Sequence, residues 1–141
     1  MSRERIHRML IVTEMLVLAL PTSAICVFFS LALMLTVSFP WGLAELAFMH
    51  WVLLCQLGIF GLWRLAIAYL WHRQAGLSAT LWWWRAACMG AILLGVSLLL
   101  LGLIVAGWEV PESVIILAMG SLASPLLVPF VHLTYLRRTS S

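Results

Sequence analysis

The chain contains no lysine and no aspartate, and only 9% of its 141 residues are charged. Soluble domains carry roughly 25% charged residues, so there is too little polar sequence here to cover a soluble core. Cysteine is also scarce. Cys26, Cys55 and Cys88 all lie in apolar runs, none forms a C-x-x-C pair, and the count is odd. That excludes a quinone-linked disulfide oxidoreductase and leaves the three thiols as small packing residues. Catalytic motifs are missing as well. The chain has no aspartyl dyad, no H-E-x-x-H, no glycine-rich phosphate loop, and no Ser–Lys or Cys–His pair at a shared depth. A non-enzyme with no catalytic residues and no cofactor is therefore expected.

Apolar sequence takes the place of what is missing. The chain is 65% hydrophobic with a mean hydropathy of +1.12, and an integral membrane protein is the class that fits. The net charge of +3 does not indicate nucleic acid, because the arginines sit at the ends of apolar runs. Residues 9–37, 44–71, 83–106 and 112–136 are each long enough for a ~30 Å hydrocarbon core at about 1.5 Å per residue. The first run follows a basic N-terminus. It extends well past the ~7–15 residues of a signal h-region, and Ile25 stands before Cys26 where a lipoprotein signal needs a small residue. It reads as a retained span.

The expected fold is an all-α integral membrane protein, one four-helix domain over 1–141 built as two antiparallel hairpins. Phe39-Pro40-Trp41-Gly42 and Gly107-Trp108-Glu109-Val110-Pro111 should make tight turns. Pro111 sits where a first helical turn tolerates it, and Glu112 suits the helix dipole. The middle connection, about 72–82, should be a longer loop containing Gly76 and Ser78. Arg3, Arg5, Arg8, Arg73, Arg85, Arg137 and Arg138 fall at one side of this layout and none at the other, where Glu45, Glu109 and Glu112 lie. Both termini are thus expected in the cytoplasm of a bacterial inner membrane. Trp71, Trp82, Trp83 and Trp84 would anchor one interface, and Trp41 and Trp108 the other.

Two charges interrupt the apolar runs. Glu14 lies six residues past Arg8, about 9 Å into the first span, and Arg64 lies eight before His72, about 12 Å into the second. Ionised groups in hydrocarbon need partners. Matched depth on neighbouring helices predicts an intramembrane Glu14–Arg64 pair, or else a coupling site at Glu14. At about 100° per residue, His50, Leu57, Gly61, Arg64 and Ala68 share one face, read as the polar inward face of span two. Ala87, Ala91 and Gly95, with Gly120 and Ser124, form small-residue ladders for close helix packing. Ala86 and Gly90 repeat the same spacing. Pro21, Pro125 and Pro129 should kink their helices, with Thr22 and Ser23 meeting freed backbone groups near Pro21. His7 and His72 read as solvated surface residues, and His50 as buried in the outer half of span two. His132, near the end of span four, is at a different depth from His50, which argues against a haem. Glu45 and His50 do not converge, so no metal site is expected.

In its size, its four spans and a glutamate in the first of them, Glu14, the chain resembles the small multidrug resistance transporters. The resemblance implies proton-coupled export through Glu14. The aromatic-glycine pattern of that family's later helices is absent, and Arg64 is an additional charge. The leading expectation is a non-enzymatic protein that binds a membrane-protein partner or a second copy in or at the bilayer, as an accessory subunit or immunity-type protein. The alternative is a small oligomeric proton-coupled transporter or channel using Glu14.

Overall fold

The computed structural model of the chain describes residues 3–36, 42–79 and 81–139. Its elements are α1 (Arg3–Glu14), a π-helical segment (Met15–Ala19), α2 (Leu20–Thr36), α3 (Leu43–Ala79), α4 (Leu81–Val105), α5 (Glu112–Ala118), a 3₁₀ segment (Met119–Leu126) and α6 (Leu127–Arg138). The described residues contain no strand. Four helical stretches are long and apolar enough to cross a membrane: Arg5–Thr36, Met49–His72, Leu81–Val105 and Met119–Arg138. We refer to them as spans one to four.

The segment Phe39-Pro40-Trp41 expected to turn between the first two spans lies outside the described residues, as do the side chains of Glu45 and Arg73. Gly42 is described, and its carbonyl accepts the Leu46 amide. Span three ends as expected at Gly107, which has φ +82°. The Gly107 amide donates to Ile104 and that of Trp108 to Leu103, so two of the last carbonyls of α4 are satisfied through a left-handed residue. Pro111 sits one residue before α5, and its carbonyl accepts the amides of Val114 and Ile115.

The middle connection differs from the expected loop. Helix α3 continues through His72 to Ala79, because neither Gly76 nor the polar residues around it is enough to break a helix. The extension is not straight. A side chain on Gly76 would collide with the carbonyl of Ala68, whereas eight residues of straight helix separate such groups by about 12 Å. The helix therefore bends back between those positions. Trp84, expected at an interface, is instead buried; its indole N–H donates to the Leu77 carbonyl at 2.9 Å.

Spans two and three form the backbone of the bundle. A Cβ on Gly58 would lie 2.5 Å from Gly90 Cα, and one on Gly61 would lie 2.9 Å from the Ala87 amide nitrogen. The two contacts run in opposite order, so α3 and α4 are antiparallel. Of the anticipated ladder residues, Ala87 is buried at this crossing and Ala91 is half-buried, while nothing approaches Gly95. Gly120 meets Ser97, and Ser124 is half-buried. Ile11, Met15, Leu62, Leu65, Tyr69, Leu77, Trp84, Leu133 and Leu136 belong to the main buried cluster, which fills the half of the bundle that carries the arginines.

The prolines act through local helix type. Pro21 has no N–H, and its ring would crowd the carbonyl four residues back. The π segment just before it widens the turn, and the Leu20 amide bonds the Met15 carbonyl five residues away. Pro125 lies within the 3₁₀ segment, and α-helix resumes at Leu127 with Pro129 buried inside it.

Candidate functional site

Glu14 is the last residue of α1, and the π segment begins after it. Its carboxylate lies against span four rather than span two. His132 Nδ1 is 3.0 Å from each carboxylate oxygen. The other ring nitrogen, Nε2, is 3.1 Å from Nδ1 of His7. The His7 ring also lies edge-on to that of His132, with centroids 5.4 Å apart, and tilts against Tyr135 at 6.4 Å. Glu14 and His132 are mostly buried, with side-chain exposures of 19% and 13%. Leu127, Val128, Val131 and Tyr135 surround the two residues in a shallow notch.

The chemistry of this row is specific. When the carboxylate is ionised it only accepts, and His132 then donates to it from Nδ1. With His132 neutral, Nε2 accepts and His7 Nδ1 must donate. With His132 doubly protonated, Nε2 donates to His7 instead. A single proton can thus sit at either end of the His7–His132 contact while Glu14 keeps its hydrogen bond. The row leads from the arginine-bearing end into the apolar interior. Five residues separate His132 from Arg137, about 7.5 Å, which matches the depth read for Glu14 from the sequence.

This arrangement corrects the expected Glu14–Arg64 pair. The Arg64 side chain is exposed, and its guanidinium stands over the Trp83 ring at 5.5 Å from the centroid. A guanidinium is weakly hydrated and attracted to an aromatic face, and Trp83 offers one on the adjoining helix. The face read as inward is likewise split. Gly61 is buried, but His50, Leu57 and Arg64 are exposed, and His50 Nδ1 bonds the Leu46 carbonyl of its own helix at 2.8 Å. His7, read as solvated, is half-buried and belongs to the site. Among the described residues no group of three His, Cys, Asp or Glu could hold a metal ion.

Among the described residues, hydrogen bonds to neutral acceptors, not an ion pair, connect spans one and two. Trp63 Nε1 donates to Ser23 Oγ at 3.0 Å, so Ser23 serves a neighbouring helix instead of the backbone around Pro21. Gln56 Nε2 donates to Ser30 Oγ at 2.6 Å and to the Cys26 carbonyl at 3.3 Å, and Ser30 Oγ donates to the same carbonyl at 2.7 Å. Arg8 donates to the Leu70 carbonyl at 2.8 Å. Sequence reasoning missed Gln56. An uncharged amide inside an apolar run was the available signal, since it too needs a partner in hydrocarbon. Comparison of the chain with protein-family models, curated proteins and solved structures finds no match.

Proposed function

We propose that this is a small, non-enzymatic bacterial inner-membrane protein, with both termini cytoplasmic, that moves protons within the bilayer as a small oligomeric proton-coupled transporter or channel. Glu14 is its coupling carboxylate, and His132 and His7 exchange protons between Glu14 and the cytoplasmic end. The observation that carries this reading is the partner of Glu14. A carboxylate fixed against arginine faces a permanent cation. Glu14 instead faces an imidazole, whose two ring nitrogens can each hold a proton. The arginine asymmetry supports the orientation. The test is proton flux into liposomes carrying the purified protein, read with a trapped pH dye. Glu14→Gln should abolish flux while the helical circular dichroism stays intact. Undiminished flux in that variant would defeat the reading.

A second reading, a protein that binds a membrane-protein partner or another copy of itself, as an accessory subunit or immunity-type protein would, draws on span one. Only 12% of its most apolar window is buried within the chain. Crosslinking in mild detergent addresses it: protein that conducts protons and crosslinks to nothing but its own copies removes the partner-binding form.

A further inference from the structure

The half of the bundle away from the arginines is incompletely filled. A cavity of about 130 Å³ lies there among all four spans. Most of its wall is apolar, and three aromatic side chains, Phe29, Trp51 and Phe130, contribute to it. Among the described residues no charged one lines it. A cavity of about 150 Å³ between apolar side chains is large enough to hold benzene, so the space has the scale of one six-membered ring.

Gln56 gives this space its chemistry. Its amide nitrogen donates to Ser30 Oγ and the Cys26 carbonyl. That fixes the carboxamide and leaves Oε1, which takes no hydrogen bond from the described residues. A carbonyl oxygen without a donor is costly where water is scarce. Ser97 stands in the same wall, 1% exposed, and its hydroxyl has no partner. The α3–α4 register places Ser97 level with Trp51, five residues or about 7.5 Å along the helix from Gln56. The cavity is thus apolar along its walls, free of charge, and bounded by two polar groups without partners.

We infer that this cavity binds a small uncharged aromatic molecule carrying a hydroxyl, a phenol, whose O–H donates to Gln56 Oε1 while its ring lies against the apolar wall around Phe29. A cation would find no counter-charge, and an anion would meet the carboxamide oxygen. A hydrocarbon of the same size would fit but leave Oε1 unpaired. Glu14, His132 and His7 do not line the cavity, so Glu14→Gln should leave binding unchanged.

The test is a ¹⁹F NMR titration of the full chain in lipid nanodiscs with 4-fluorophenol and with 4-fluorotoluene, which differ by hydroxyl against methyl. Both should bind saturably, the phenol about 3–10-fold more tightly, the range one neutral hydrogen bond supplies. Gln56→Leu should bring the two affinities within about twofold of each other, because the ring pocket remains and the acceptor is gone. Ala91→Phe should fill the cavity and remove binding of both. In the unaltered protein, 4-fluorophenol should slow alkylation by N-ethylmaleimide of Cys26 and Cys55, which line the cavity, and not of the exposed Cys88. Absence of saturable binding, equal affinities in the unaltered protein, a preference that survives Gln56→Leu, binding that survives Ala91→Phe, or unprotected Cys26 and Cys55 would overturn the assignment.

Discussion

Glu14 and His132, 118 residues apart in the chain, share a two-oxygen contact at 3.0 Å in a shallow notch between spans one and four. The contact joins the first span to the last, and its consequences are measurable apart from any transport.

Removing the histidine alone strands a mostly buried carboxylate. His132→Leu should lower stability by about 1–3 kcal/mol, the usual effect of an unsatisfied buried group. Glu14→Gln combined with His132→Leu should recover part of that loss. Thermal unfolding in detergent, followed by circular dichroism for both single variants and the double, gives the coupling. A double variant that simply sums the two losses would mean the contact does not exist.

Arg64 should behave as an independent surface residue. Arg64→Met loses a cation–π contact worth about 0.5–1 kcal/mol at an exposed site. Its effect should add to that of Glu14→Gln within about 0.5 kcal/mol. Rescue of Glu14→Gln by Arg64→Met in the same unfolding assay would restore the ion pair first expected from the sequence.

The glycines of the central helices should divide sharply. Gly90→Ala forces backbone apart at the Gly58 crossing and should destabilise by about 1–3 kcal/mol. Gly95→Ala meets nothing within 4 Å and should be neutral or gain up to about 1 kcal/mol from helix propensity. Comparing the two melting temperatures checks the register of α3 and α4 without a structure.

At the end of span three, Gly107→Ala must place a side chain on a residue with φ +82°. The strain is about 1–2 kcal/mol. Since nothing else approaches this position, Gly107→Asn, which tolerates the left-handed region better, should recover much of the loss. Equal melting temperatures for the alanine and asparagine variants would show that backbone conformation is not the cause.

The number and approximate position of the spans were legible because apolar run length is a direct readout of what hydrocarbon tolerates. Side-chain partners were less so. The wheel placed Arg64 inward beside Gly61, yet only the glycine is buried, because the seam of α3 against α4 is set by Gly58 and Gly90. In span one the π turn at Met15–Ala19 adds a residue to the turn, so a constant 3.6-residue period misplaces Glu14 relative to Ser23 and Ser30. His132 was readable by depth but not by direction, since no local pattern says that span four packs against span one. The continuation of α3 past His72 was hidden because Gly76 suits both a loop and a sharply bent helix.

The 3₁₀ segment bears on fit to the bilayer. Met119–Arg138, the shortest of the four spans, has 20 residues, about the number an ordinary hydrocarbon core takes. A 3₁₀ helix rises about 2.0 Å per residue against about 1.5 Å for an α-helix. With Met119–Leu126 in the tighter form, the span reaches about 34 Å instead of about 30 Å. Stretching one short helix in this way lets it match longer neighbours without thinning the surrounding lipid.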